Sequence, residues 1–280
     1  FEILNDPILD PVERLAFKLK YKSVRKDETA DKVVLSKDVL DSQQAVVRRS
    51  YRSFRKDLIA LEQLSGLLSN LAYYTDEQIT NPKMMYASAG SLYPVQAYIY
   101  VKENRVEGLS CGLYYYNPQQ HALEKLSDCH IPDNFYPAGN EAVFAEAAFC
   151  IELVGKLDAI KPMYGDWAKA FIKLEAGSIC HMLESESTKY HIGLCQIGSM
   201  DFTSMEDDFK FDGEHMFVQN IVGGLIADED STETALQEAV KEISSVVSLV
   251  EEVAVTGSAT DEEVLNIEPI TVKEDIEHIK

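Results

Sequence analysis

Arg48, Ser50 and Arg52 lie at alternate positions of the segment RRSYRSF, which begins at Arg48. In an extended chain alternate side chains project to the same side, so these three would converge on one ligand. A guanidinium group is a planar fork of donors that suits phosphate, and a serine hydroxyl adds a further donor. The spacing therefore predicts a phosphate-binding segment, with a solvated basic turn as the alternative.

Two further segments combine small residues with an accessible backbone. In YASAGSLYP, Ser88, Gly90 and Ser91 let a flat or phosphorylated ligand approach the main-chain N–H groups. In HIGLCQIGSMD, Gly198 and Ser199 follow an apolar stretch and offer similar donors. Small residues are also common in ordinary loops, so each segment taken alone remains compatible with a purely structural role.

Tyr164 and Lys161 are titratable side chains placed just ahead of a predicted long helix. Loops at such positions often carry catalytic groups, and both side chains can take part in proton transfer. We therefore treat them as candidate catalytic residues. The alternative for Tyr164 is a half-buried tyrosine with no chemical role.

The overall charge argues against two classes of function. The chain carries 47 acidic and 26 basic side chains, a net charge of −21. Such an excess of negative charge repels both nucleic acid and an anionic membrane surface. The sequence has no apolar run long enough to span a membrane and no secretory signal, so we expect a cytoplasmic protein.

Two common kinds of site lack their usual motifs. Neither GxGxxG nor GxxxxGK[ST] occurs, which removes the main support for a dinucleotide-binding fold or a P-loop. The five cysteines include no CxxC pair, so we expect reduced thiols and no metal site.

The apolar patterns predict an α+β fold, a sheet flanked by helices. Helices are expected over 10–18 and 167–184. Six leucines at helical spacing predict a core helix between them: Leu58, Leu61, Leu64, Leu67, Leu68 and Leu71. Strands are expected over 95–101, 147–154, 191–197 and 214–223, together with a hairpin on either side of Pro118.

The acidic excess is concentrated in the last part of the chain. Residues 228–280 contain 15 acidic and 3 basic side chains, which predicts a main domain over 1–227 and an acidic extension over 228–280. Apolar residues at spacings of three and four predict an amphipathic helix in that extension: Leu236, Val240, Ile243, Val247 and Val250. We expect this helix to pack on the main domain or on a second subunit, with partner binding as the alternative.

These motifs, in this order, resemble the flavin-dependent nitroreductase superfamily, in particular its branch of SagB- and McbC-type azoline dehydrogenases. The similar segments are RRSYRSF, SAGSLYP, GLYYYNPQQHALEKL, and LEAG followed by GLCQIG. The sequence is most similar to the oxidase domains of nonribosomal peptide synthetases, including those that form thiazoles. DPVERLAFKLK and IKPMYGDWAKAFIKLEAG resemble those domains, and the resemblance covers about residues 5–225.

The resemblance implies a nitroreductase-like antiparallel or mixed sheet and a homodimer with FMN at its interface. By position, Arg48, Ser50 and Arg52 match contacts to the phosphate and ribityl end of the flavin. Ser88, Gly90 and Ser91 match the loop against the isoalloxazine ring. Gly198 and Ser199 match donors near the flavin.

The implied activity is the dehydrogenation of a carrier-protein-bound thiazoline or oxazoline, with molecular oxygen as the electron acceptor. The branch carries an adjacent Lys-Tyr pair as its catalytic motif, but here Met163 precedes Tyr164. Lys161 is the first candidate for the lysine role. An NAD(P)H-dependent flavin or nitro reductase and a noncatalytic docking module of a synthetase are the alternatives. The sequence leaves open whether the domain acts alone and whether the reaction is instead a related amino-acyl oxidation, as in blue-pigment synthetases.

Overall fold

The computed structural model describes residues 10, 13–14, 16–17, 31–37, 39, 48–76, 81, 83–131, 135–136 and 140–227. The chain divides into two compact units, residues 1–42 and 43–280. The predicted boundary at residue 228 and the predicted tail helix lie outside the described residues. None of the described helices has the length and apolar character needed to cross a lipid bilayer.

In the first unit, Asp10 begins the helix that the sequence predicts. Its Oδ1 accepts a hydrogen bond from the backbone N–H of Glu13 at 2.9 Å, which is the usual geometry of a helix N-cap. Glu13, Arg14, Ala16 and Phe17 have helical backbone. Phe17, expected to be an apolar contact, is 51% exposed.

The second unit is built on a seven-stranded sheet. Its strands are β1 (Phe54–Arg55), β2 (Val95–Val101), β3 (Gly112–Asn117), β4 (Ala122–Ser127), β5 (Phe149–Lys156), β6 (Ile192–Ile197) and β7 (His215–Ile226). The order is β1-β7-β5-β2-β3-β4, and β6 also pairs with β7. Every pairing between these strands is antiparallel.

Four α-helices accompany the sheet: α1 (Leu61–Ser69), α2 (Glu141–Glu146), α3 (Lys161–Tyr164) and α4 (Ala168–Glu186). Shorter 3₁₀ segments cover Ala89–Ser91, Leu157–Ala159, Gly165–Trp167, Ser187–Tyr190 and Phe202–Phe209. An antiparallel sheet flanked by helices is the α+β architecture that the sequence predicts. The predicted strands and the long helix are found within a few residues of their expected bounds.

The leucine pattern predicts helix α1 but extends too far toward the N-terminus. Leu64, Leu67 and Leu68 are buried, as expected for the core-facing side of a helix. Leu58 and Leu61, however, are 57% and 41% exposed, so their assignment to the core was wrong. The physical reason is that α1 begins only at Leu61, so Leu58 is not on the helix and Leu61 lies in its first turn.

The sheet separates two apolar cores. Helices α1 and α4 cover one face, where Leu64, Ile172 and Ile179 pack against strand residues such as Ile99 and Ile151. Aromatic side chains cover the other face, and the main ones are Phe135, Tyr136, Phe209, Tyr98 and Tyr100. Because both faces are covered, β5 is buried over almost its whole length.

A buried carboxyl group lies within the aromatic face. Glu152 is 2% exposed, and its Oε1 accepts hydrogen bonds from Asn220 Nδ2 and from the Cys150 thiol at 3.5 Å. Tyr136 donates to Asn220 Oδ1 at 3.1 Å and so joins the same network. Burial raises the pKa of Glu152 to about 8, against the partial opposition of the Asn220 and Cys150 hydrogen bonds.

Candidate functional site

The basic segment lies against strand β6. The backbone N–H of Tyr51 donates to the carbonyl of Leu194 at 2.9 Å. The contact is close because Gly193 has no side chain: a Cβ there would lie 2.6 Å from the Cβ of Tyr51. The segment from Arg48 to Ser53 is thus held against the sheet without belonging to a strand.

Within this segment the guanidinium groups are pre-positioned. Arg48 pairs with Glu184 of α4 at 3.5 Å, while its side chain stays 48% exposed. Arg52 donates to the carbonyl of Ser50 at 3.3 Å and is also exposed. Arg49, which the sequence placed on the other side, lies over the Tyr51 ring at 4.9 Å. The two predicted phosphate ligands therefore keep free surface for an anion.

Glu184 is a residue that the motif analysis did not assign. Its side chain is 7% exposed, and its Oε1 accepts a hydrogen bond from Gln196 Nε2 at 3.0 Å. Gln219 in turn donates to Gln196 at 2.9 Å. Glu184 of α4 thereby links Arg48 to strands β6 and β7. This link holds Arg48 more firmly than a surface arginine that has no ion pair.

Gly198 and Ser199 follow β6 directly, and both are exposed. Apart from its two chain neighbours, no described residue has an atom within 4 Å of the position that a Cβ would take at Gly198. Their backbone is therefore open to a ligand at the end of the strand that supports the basic segment. The basic segment thus lies beside strand β6, and the backbone of 198–199 lies just beyond the end of that strand.

The 88–95 loop has an unusual backbone. Gly90, Ser91 and Tyr93 have φ angles of 63°, 56° and 50°, in the left-handed region that L side chains rarely adopt. Ser88 stabilises the loop from within, because its Oγ accepts a hydrogen bond from the Tyr93 N–H at 2.9 Å. Backbone strain of this kind is frequent where a protein positions a ligand.

Tyr164 lies against this loop. A Cβ at Gly90 would be 2.8 Å from the Tyr164 hydroxyl oxygen and 3.4 Å from the Met163 Cε. The Tyr164 ring is half-buried and packs edge-on against Phe171, with 4.9 Å between the ring centroids. The structure thus brings together a predicted catalytic residue and a predicted flavin-loop residue that are 74 positions apart in the sequence.

Lys161 has a different partner. It lies one turn before Tyr164 in α3, and its Nζ forms an ion pair and hydrogen bond with the carboxylate of Glu214. Its side chain is 39% exposed, so the pair is near the surface. Lys161 is therefore close to Tyr164 along the helix, but its ammonium group contacts the carboxylate of Glu214.

Glu175 of α4 is a second residue that the motif analysis did not assign. Only 3% of it is exposed, and its Oε1 accepts a hydrogen bond from the backbone N–H of Val95 at 3.0 Å. Burial raises its pKa to about 7, while the neighbouring Ser88 hydroxyl and the Val95 N–H oppose that rise. The signal in the sequence was a carboxylate on the buried stripe of α4, between Ile172 and Ile179.

Helix α4 relates the two parts of the site. Glu175 holds the 88–95 loop and Glu184 holds Arg48, and nine residues of helix separate them by about 14 Å along its axis. Guanidinium groups lie at one end, and small residues with a tyrosine hydroxyl lie at the other. This donor set fits FMN, an elongated molecule with a phosphate at one end and a flat ring at the other.

The comparisons with known proteins agree with this geometry. The nitroreductase family model matches residues 45–224. Indigoidine synthase of Dickeya dadantii (strain 3937) is 29% identical over 182 residues, which are 64% of this chain and 11% of that protein. The putative nitroreductase MJ1384 of Methanocaldococcus jannaschii is 26% identical over 157 residues, 55% of this chain and 76% of that protein.

Two solved structures show the same fold. One is the E. coli microcin synthetase McbBCD complex with truncated pro-MccB17 bound, with a TM-score of 0.63 at 16% identity, covering 80% of this chain and 85% of that one. The other is a putative nitroreductase from Ralstonia eutropha JMP134, with a TM-score of 0.54 at 17% identity, covering 74% and 89%. The predicted fold class is confirmed.

Proposed function

The chain belongs to the nitroreductase family and its cofactor is FMN, and from this premise we propose that it is an oxidase acting on azoline rings. Its substrate is a thiazoline or oxazoline held on a carrier protein during nonribosomal peptide synthesis. Its product is the aromatic thiazole or oxazole.

One contact carries the proposal. The Tyr164 hydroxyl oxygen lies 2.8 Å from the position that a Cβ of Gly90 would take, so it faces the loop on which a flavin ring would lie. A polar group at this place is suited to a substrate that stacks on the ring. A tyrosine hydroxyl can both orient such a substrate and exchange a proton with it.

The cofactor would be held by the residues that the motifs predict. Arg48, Ser50 and Arg52 would bind the phosphate and ribityl end. Ser88, Gly90 and Ser91 would face the ring, with further backbone donors at 198–199. When bound, FMN supplies the hydride acceptor for the reaction.

Tyr164 and Lys161 are the proposed catalytic pair. Tyr164 orients the azoline ring and takes up the proton released from its Cα, and a nearby cation would favour this by stabilising the phenolate. Lys161 is the proposed cation. In this role its ammonium group must either leave the ion pair with Glu214 or contact Glu214 and Tyr164 at the same time. Both residues lie on the four-residue helix α3, whose position next to the loop sets their reach.

The relatives support the proposed partners. The matched stretch of indigoidine synthase is 11% of that protein, so a domain of this kind is found there within a much larger synthase. A place within a larger synthase is consistent with the carrier-bound substrate that we propose, and molecular oxygen is the proposed final electron acceptor.

We also propose a homodimer. Helices α3 and α4 and the turn between them expose large apolar side chains, among them Met163 (61%), Trp167 (69%) and Leu174 (68%). Covering such side chains with a second copy would stabilise the assembly.

The test begins with the absorption spectrum of the purified protein after incubation with FMN. The holoprotein is then given a carrier-bound thiazoline, and mass spectrometry should detect the loss of two hydrogen atoms. Tyr164→Phe should retain the flavin spectrum and lose most of this turnover. Unchanged turnover in that variant would remove Tyr164 from the mechanism.

The phosphate site has its own variant. Arg48→Ala combined with Arg52→Ala removes two charge-assisted contacts, each worth about 1.5–3 kcal/mol. We expect FMN affinity, measured by fluorescence titration, to fall by at least about a hundredfold. Equal affinity in the double variant and the wild type would contradict the assignment.

A reductase is the second candidate, favoured by the match to the putative nitroreductase MJ1384 over 76% of that protein's length. Rapid anaerobic bleaching of the flavin by NAD(P)H, with turnover of a nitroaromatic compound, would favour it over the oxidase. A protein that stays colourless after reconstitution with FMN would instead favour a docking module.

A further inference from the structure

The 88–95 loop is held in a conformation that costs free energy. Ser91 and Tyr93 have side chains yet adopt left-handed backbone angles, at about 1–2 kcal/mol each. Such a conformation persists only where surrounding contacts determine it. The question is therefore which contacts from outside the loop hold it.

Two tyrosine rings hold part of the loop. The Tyr93 ring packs edge-on against Tyr73 and Tyr86, with centroid distances of 5.8 and 5.7 Å. These apolar contacts fix one side chain of the loop. They do not bind the backbone that a ligand would meet.

Glu175 binds the loop at both of its ends. Its Oε1 accepts the Val95 N–H at 3.0 Å, and its carboxylate lies beside the Ser88 hydroxyl closely enough to affect the pKa. Because Ser88 Oγ also accepts the Tyr93 N–H, the carboxyl group binds the end of the loop directly and lies beside the serine that holds its strained middle.

This arrangement has a cost to stability. Glu175 Oε2 is buried and makes no hydrogen bond to any described residue. A buried polar atom without a partner costs about 1–3 kcal/mol. A methionine or leucine would fill the same space in the apolar stripe of α4 but would leave the buried Val95 N–H without its acceptor, so the acid is explained by the backbone it binds and not by packing.

We propose that Glu175 is a positioning residue, which fixes the 88–95 loop in the conformation that receives the flavin ring. This inference rests on the proposed function, because it is the flavin that gives the loop its role. Glu175 acts through Ser88 and Val95, and it is not assigned a contact with substrate or cofactor.

Two variants test the role of the Glu175 side chain: Glu175→Gln keeps its hydrogen-bond acceptor and its volume, and Glu175→Ala removes both. The glutamine keeps an Oε1 acceptor for the Val95 N–H, so we expect FMN affinity within about threefold of the wild type. The alanine removes the acceptor, and we expect affinity to fall by about tenfold to a hundredfold, as for the loss of a hydrogen bond to a charged group. Cys180→Ala, on the buried face of the same helix, controls for a general loosening of α4 and should leave affinity unchanged.

A second readout does not depend on the flavin. Hydrogen exchange of the Tyr93 and Val95 amides in the apoprotein should accelerate by about tenfold or more in Glu175→Ala and remain slow in Glu175→Gln and Cys180→Ala. Circular dichroism and thermal unfolding of each variant establish that it is folded. Should Glu175→Ala fail to fold, Glu175→Met, which removes the acceptor of the Val95 N–H but keeps the side-chain volume, gives the same test with a milder change.

The outcomes separate the two claims. Equal FMN affinity in the wild type and Glu175→Ala would overturn the positioning role and leave the flavoprotein intact. Accelerated exchange without a change in affinity would overturn it as well, because the loop would then be held without serving the ring. A wild-type protein that does not bind FMN would overturn the proposed function and this role with it.

Discussion

Glu152 should make the stability of this protein fall as the pH rises through neutrality. The carboxyl is fully buried in the aromatic face of the sheet, and its pKa is raised from 4.5 to about 8. In the unfolded chain it ionises near pH 4.5, whereas in the folded chain it keeps its proton up to about pH 8. Between these values the folded state binds more protons, so each increase in pH favours unfolding.

The magnitude follows from the size of the shift. One pKa unit corresponds to about 1.4 kcal/mol, so this group alone removes up to about 1.4 kcal/mol of unfolding free energy per pH unit within the window. Over the whole interval the upper bound is about 5 kcal/mol. Below pH 4.5 the group is protonated in both states and contributes no pH dependence.

Glu152→Gln removes this dependence while preserving shape. The amide oxygen still accepts the Asn220 and Cys150 hydrogen bonds, and the amide stays neutral at every pH. Its NH₂ group takes the place of Oε2, which makes no hydrogen bond to the described residues, and brings one more buried donor than the protonated carboxyl, so the variant loses about 1–3 kcal/mol at pH 5. As the pH rises toward 8 the wild type loses this advantage, and the two stabilities converge or cross.

Urea unfolding at pH 5, 6, 7 and 8 measures the difference between wild type and variant. Taking the difference cancels the other acidic groups and the repulsion among the 47 acidic side chains. Glu103→Gln, at an exposed position, is the matched control and should give a difference that does not vary with pH. A wild-type-minus-Glu152→Gln difference that stays constant within about 0.5 kcal/mol over this range would refute the reasoning.

Two further predictions concern the site and the assembly. Gly90→Ala should lower FMN affinity by about tenfold or more, because its Cβ would lie 2.8 Å from the Tyr164 hydroxyl at a φ of 63°. Gly108→Ala is the control, because φ at Gly108 is 73° and no described residue other than its chain neighbours has an atom within 4 Å of the added Cβ. Equal losses of FMN affinity in both variants would mean that backbone strain, and not the contact with Tyr164, is responsible. Leu174→Arg should convert a dimer of the 31.4 kDa chain to a monomer in light scattering, and a dimer that persists would place the interface elsewhere.

The strands were predictable because their residues favour extended structure wherever they are placed. VQAYIYV in β2 and GLYYYN in β3 consist largely of β-branched and aromatic residues, and PQQ between β3 and β4 is a turn sequence. The six-residue helix α2 and the 3₁₀ segment Phe202–Phe209 were missed. Both are too short to display a helical period, and their formation depends on packing against the aromatic face.

The site was predictable in part. Segment composition predicts Arg48 and Arg52 as anion ligands and Gly90 as a point of close approach, because those properties belong to the residues themselves. Composition does not reveal that Tyr164 meets Gly90, since only the packing of α3 beside the loop creates that contact. Glu175 and Glu184 were missed for the same reason: their roles depend on partners that are distant in the sequence.

The arginine-rich segment of an acidic protein is explained by local charge balance. Arg48, Arg49 and Arg52 bring three positive charges, and Glu184 at 3.5 Å from Arg48 offsets one of them. A net charge of about two remains on the whole segment, close in size to the −1.5 to −2 of a phosphate monoester near neutral pH, with Arg49 over the Tyr51 ring and Arg48 and Arg52 as the proposed anion contacts. Since this match is local, the chain can keep its net charge of −21 elsewhere and still hold an anion at the strand that carries 198–199. In the proposed flavin site, Glu184 would therefore orient Arg48 and also limit the positive charge of the segment to what one phosphate neutralises.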